Sequence, residues 1–172
     1  MVRNRTGKLA AKFAREWVRP VRKVKRRRRG DPNARPTRNA SPARQASYRA
    51  RQEADRQQAN GRTNGTAEAV TTADGRHTAV SVSDSPDNIY PHHREVARVL
   101  DSVPQNLRAP WHGNCALPQS LSRLMDRGID PRGGAIGSAR IRPPGNPGHG
   151  AHNPCCNSCV SLRNEFDLRE AL

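Results

Sequence analysis

The sequence predicts an α/β fold, a layered sheet with helices, carried behind a basic and largely disordered N-terminal arm. Three observations lead there. Apolar residues are only 33% of the 172 and aromatics 3%, too few for a core spread over the whole length. The charge is divided unevenly: residues 1–62 hold 20 of the 31 Lys/Arg against four acids, which accounts for the entire net +16. Beyond residue 66, short β-rich runs alternate with helical periodicities, the mark of strands and helices around one sheet. We therefore divide the chain into an arm with short helices, 1–66, and a folded domain, 67–172.

The arm comes first. A block so basic and so poor in bulky apolar residues repels itself and is expected to stay extended unless a polyanion neutralises it. Leu9, Phe13, Trp17 and Val21 recur every four residues among Lys8, Lys12, Arg15 and Arg22, predicting a short basic amphipathic helix that Pro20 stops or kinks. Lys23, Lys25, Arg26, Arg27, Arg28 and Arg29 follow and are the candidate nucleic-acid contacts, since clustered cations neutralise phosphates and release counterions. Docking of the Leu9/Phe13/Trp17 stripe on a membrane is the competing use, but the apolar area is small. In 42–59, Ser41 can cap, Pro42 suits the first helical position and Asn60-Gly61 supplies a stop. With almost no large apolar residue, this helix is expected to be lone and solvated. No secretory apolar region and no run approaching the roughly 18 apolar residues of a membrane span is present, so no export address is expected in the chain.

From about Ala67 the elements follow in order. Two β-rich runs flank Asp74-Gly75, a strong hairpin signal, with Thr78, Val80 and Val82 on one face of the second strand. Val96, Val99, Leu100 and Val103 mark one face of a helix closed by Pro104. Leu121, Leu124, Met125 and Ile129 mark a second helix, ending at Gly128. "GAIGSARIR", 134–142, reads as a strand, and a last helix starts near Cys156 with Val160, Leu162 and Phe166. "EFDL", 165–168, is all that remains to begin a further strand.

Cys155, Cys156 and Cys159 fall within five positions, and Cys115 stands forty positions upstream. Adjacent cysteines with a third one helical turn away brace a fold poorly through disulfides. Cys156 and Cys159, by contrast, have the C-x-x-C spacing with which two thiolates grip one tetrahedral zinc. They sit where a helix begins, and a helix N-terminus favours the thiolate. Cys115 opens another predicted helix, so one cysteine plus a C-x-x-C reproduces the ligand set of zinc deaminases, with water in the fourth position.

"GNCALPQSLSRLMDRG", "GGAIGSARIR" and "NPCCNSCVSL" resemble the YwqJ-like branch of the bacterial toxin deaminases, with its C-A-E corner and late P-C-x-x-C-type motif. The resemblance covers about 67–170. It implies a cytidine deaminase-like layered sheet, C-terminally truncated in this chain, with Cys115, Cys156 and Cys159 as zinc ligands. It implies also a hydrolytic deaminase acting on a nucleobase in nucleic acid or nucleotide, the warhead of a larger secreted toxin, with an immunity protein as a partner. A monomer is expected, located in the cytoplasm or secreted as part of a toxin. Cys155 is extra to the motif, and Pro154 stands one position earlier than in the family.

At the position of the family's general acid/base glutamate stands Leu117. Loss of such a group typically costs about 10²- to 10⁴-fold in rate, so the resemblance predicts a centre that holds metal with little turnover, and Leu117→Glu is expected to raise it. Glu95, Glu165 and Glu170 are the carboxylates considered as substitutes, and the sequence places none of them in the pocket. His112, with Asn114 at the base position, is the alternative first ligand. His92, His93, His149 and His152 read as loop histidines, the last two near enough in sequence to approach the metal, and Trp111 reads as core filler. The alternative function is a non-enzymatic nucleic-acid binder whose zinc is structural; a degenerate product without activity is a third.

Overall fold

In the computed structural model, residues 33–37, 39–84, 88 and 90–171 are described. They belong to one compact unit, Asp31–Leu172. The amphipathic segment around Leu9 to Val21 and the basic run Lys23 to Arg29 lie outside the described residues.

Four strands form a mixed sheet: β1 (Thr66–Thr71), β2 (Thr78–Val82), β3 (Ala135–Arg140) and β4 (Arg169–Glu170), in the order β2-β1-β3-β4. β1 runs antiparallel to both β2 and β3, and β3 runs parallel to β4. The hairpin turns where Asp74-Gly75 predicts it. Gly75 takes φ 71°, and the Asp74 carboxylate accepts from the Arg76 N–H at 3.0 Å. β4 begins directly after the "EFDL" segment and pairs Arg169 with Ala135.

β1 is the central strand, and five of its six residues are buried. Being covered on both faces, it lacks the polar alternation of a half-exposed strand. Ala67 and Ala69 turn to one side and pack under helix α1 (Pro42–Ala59), together with Ala139 and Ile141. Successive strand residues alternate in direction, so Glu68 and Val70 turn to the other side.

The position of α1 corrects the expectation of a lone solvated helix. Its caps form as the sequence predicts: Ser41 accepts from the Arg44 N–H, Pro42 occupies the first position, and Gly61 beyond the end takes φ 88°. Yet Ala46, Ala50 and Ala54 are fully buried against the sheet. The stripe is apolar but made of methyls, so it carries little hydrophobic signal per residue. Small side chains instead let two backbones approach. Gly137 of β3 lies directly beneath the Ala46–Ser47 peptide, where a Cβ would overlap backbone atoms.

The opposite face is covered by α2 (Arg94–Asp101), α3 (Ala116–Met125) and α4 (Asn157–Glu165). Val96, Val99 and Leu100 of α2 and Leu117, Leu121 and Leu124 of α3 meet Val70, Ala79 and Ile136 of the sheet. Leu162 and Phe166 from the end of α4 close the same core. Met125 and Ile129 pack at its edge. No helix among the described residues is long and apolar enough to cross a membrane.

Candidate metal centre

Two helix starts carry the cysteines. Cys115 is the N-cap of α3 and Cys156 the N-cap of α4, both in extended backbone, with Cys159 in the first turn of α4. An N-cap side chain lies beside the unpaired N–H groups of its helix, where the helix dipole favours negative charge. Proline and glycine shape both approaches. Gly113, at φ 86°, turns the chain before Cys115, and its carbonyl accepts from His92 Nε2 at 2.7 Å. The loop into Cys156 is pinned by Asn153, which donates through Nδ2 to Thr66 Oγ1 at 2.8 Å and accepts from Arg140 Nε at 3.0 Å.

Cys115 Sγ and Cys156 Sγ are 3.5 Å apart, and the three sulfurs of Cys115, Cys156 and Cys159 lie within 4.8 Å of one another. All are free thiols. Thiolates sharing one zinc at about 2.3 Å stand about 3.8 Å apart, so this spacing suits a common metal. These three cysteines are thus positioned to hold a metal ion, and among the described residues no other group of three His, Cys, Asp or Glu is so placed. Cys155 stands outside the group, with its N–H on Glu170 Oε1 at 3.2 Å and burial pushing its thiol up.

The electrostatics of the cluster centre on Cys156. Hydrogen bonds from the Cys115 and Cys159 thiols, and then from the Cys159 and Ser158 N–H groups, hold it well below the usual thiol range. The same bonds push Cys115 and Cys159 up, because each is the donor to a neighbouring sulfur. A bound cation would release both protons, since the thiolate is the ligand form.

A cavity of about 950 Å³ opens over the three cysteines. Arg62, Arg142, Asn153 and Trp111 also line it. Trp111 is 48% exposed, which corrects its reading as core filler. The Arg62 guanidinium is fixed by the carbonyls of Asn64 and Ser83, and Arg142 by that of Ile141.

Glu68 of β1 also lines the cavity. It is only 5% exposed, and among the described residues its Oε2 has no hydrogen-bond partner. Burial, and next the charge of Cys156, push its carboxyl up to about 8, against the pull of a hydrogen bond from the Leu117 N–H. Sequence reasoning missed Glu68. The available signal was a single carboxylate between Ala67 and Ala69 in an otherwise small and apolar strand.

The other candidates are engaged elsewhere. Glu95 pairs with Arg132, Glu165 with Arg98 at 2.6 Å, and Glu170 with Arg163 at 3.0 Å. His149 lies 3.0 Å from Asp55, while His152 Nδ1 meets Ser138 Oγ at 2.9 Å. His112 Nδ1 meets Ser158 Oγ at 2.9 Å and belongs to no ligand group. His93 caps α2, accepting from the Glu95 N–H. Leu117 is fully buried within the core, so its side chain does not line the cavity. Compared with known protein families, characterised proteins and solved structures, the chain matches none.

Proposed function

We propose that residues 31–172 form a zinc-dependent hydrolytic centre that deaminates a nucleobase carried on nucleic acid or on a nucleotide. The observation that carries the reading is the cluster of Cys115, Cys156 and Cys159, formed at two helix starts and facing an open cavity. A structural zinc site is closed by four protein ligands, whereas a catalytic one keeps a position for water. When bound, zinc would polarise that water so that it attacks as a nucleophile near neutral pH.

The residues around the cavity suit such a substrate. Trp111 offers an exposed ring on which a base can stack. Arg62 and Arg142 place two fixed cations on the same cavity, suited to phosphate. The basic arm adds affinity for polyanions without reading sequence. The resemblance of the "GNCALP" and "NPCCNSC" segments to YwqJ-like toxin deaminases supports the same chemistry: exchange of an exocyclic amine for oxygen, with loss of ammonia.

The second reading, a nucleic-acid binder with a structural metal, is favoured by one observation: Leu117 replaces the family's carboxylate and points into the core. Purified protein loaded with zinc, offered cytidine and adenosine both free and within single-stranded DNA and RNA, separates the two. The deaminase reading expects ammonia release that Cys115→Ser abolishes. Zinc bound at one per chain with no ammonia from any of these probes would favour the binder.

A further inference from the structure

We propose that Glu68 is the proton-handling carboxylate of this centre, supplied from strand β1 in place of the one that helix α3 lacks at Leu117. The inference rests on the hydrolytic reading above and assigns the residue that the reading is missing.

Position carries it first. Glu68 reaches the cavity that Cys115, Cys156 and Cys159 line, and it is the carboxylate there that is almost wholly buried. A buried carboxylate is costly and persists where surrounding groups hold it. Helix α3 fixes this one through its backbone: Ser120 Oγ donates to the Glu68 carbonyl at 3.0 Å.

Sheet register adds the second support. Glu68 pairs with Ser81 on β2 and with Ser138 on β3, so three polar residues cross three strands in one row. All three are buried. On the same face the row on one side is Val70, Ala79 and Ile136 and the row on the other begins with Thr66 and Arg140, so Glu68 stands where the apolar core gives way to the cavity. Ser138 is engaged by Asn153 and His152, which leaves the carboxylate free of serine donors on that side.

The third support is an oxygen without a partner. Among the described residues Glu68 Oε2 has no hydrogen-bond partner, unlike the paired carboxylates of Glu95, Glu165 and Glu170. It does not join the three sulfurs as a fourth member of the ligand group. A carboxylate beside the cluster but outside it is placed to exchange protons with water and substrate rather than to ligate.

The step balances with one water. Its oxygen forms a C–O bond to the amidine carbon of the base while its proton passes to Glu68, which delivers it to the adjacent ring nitrogen as the C=N electron pair moves there. The new hydroxyl then gives its proton to Glu68 and becomes the carbonyl. The C–N bond breaks, the amine takes that proton from Glu68 and leaves as ammonia. The carboxylate ends as it began.

Glu68→Gln in the full chain tests this, because the amide keeps the shape and cannot shuttle protons. Zinc per chain, the absorption spectrum of the cobalt-substituted protein, thermal melting, and ammonia release from the cytidine and adenosine probes are read for wild type and variant. The expected result is unchanged metal content, cobalt spectrum and melting, with ammonia release lower by about 10²- to 10⁴-fold. Equal turnover by the variant would overturn the role of Glu68 and leave the deaminase reading standing. Loss of zinc or a changed cobalt spectrum would overturn it differently, by making Glu68 a ligand. A zinc-loaded wild type that releases ammonia from no probe would remove the deaminase reading, and this inference with it.

Discussion

The side-chain hydroxyl of Ser120 on helix α3 donates to the backbone carbonyl of Glu68 on strand β1 at 3.0 Å. Helix α3 and strand β1 thereby meet beside Cys115, and the side chain of Leu117 is left to the core. The obvious repair of the missing acid is for this reason expected to fail. Leu117→Glu removes a fully buried leucine and adds a second carboxylate next to Glu68. Loss of the leucine alone costs roughly 2–5 kcal/mol, and an unpaired buried carboxylate adds to that. Urea denaturation should show this loss without any gain in ammonia release. A variant as stable as wild type and faster would show that the α3 position, not β1, is the working one.

How much of this was legible can be judged residue by residue. The hairpin at Asp74-Gly75 and the stripes of α2 and α3 were readable, because turn chemistry and large apolar side chains leave periodic traces. Cys156 and Cys159 could be grouped from their spacing, and Cys115 joined them through its predicted helix start and the family resemblance. Ala46, Ala50 and Ala54 were not readable as a packing face, since an alanine stripe in a polar helix resembles ordinary helix propensity. Glu68 was hidden for a related reason. A carboxylate in a strand reads as a solvent-facing residue until the partners of that strand are known to cover both sides.

The packing of α1 gives a sharp mutational test. Gly137→Ala would drive a methyl into the Ala46–Ser47 backbone, which has no flexible side chain to yield. We expect destabilisation of about 1–3 kcal/mol or more, the range of core overpacking. Denaturant midpoints should show it. An alanine variant of wild-type stability would mean that α1 does not dock on β3.

Trp111 separates a stacking platform from a core residue. Being 48% exposed, it should tolerate Trp111→Ala with a stability change within about 0.5 kcal/mol. Binding of single-stranded DNA at low salt should weaken by about 1–3 kcal/mol, the worth of one stacked base. A large stability loss with unchanged binding would return the residue to a structural role.

The basic arm should control salt dependence. Residues 1–30 carry 13 Lys/Arg and one acid, and the compact unit begins at Asp31, so the informative truncation falls before α1. If the full chain contacts about six phosphates, its affinity for duplex should fall by about 10³ between 50 and 200 mM salt. The chain lacking residues 1–30 should bind more weakly with a shallower slope. Equal affinity and slope would place nucleic-acid recognition within the folded unit.

The central claim is an open three-cysteine zinc centre, and X-ray absorption at the zinc K-edge on the purified full chain tests it most directly. The account predicts one zinc per chain with three sulfur neighbours at about 2.3 Å and one lighter neighbour at about 2.0 Å. A fourth sulfur, recruited from Cys155, would describe a closed structural site, and a protein that takes up no zinc under reducing conditions would contradict the centre altogether.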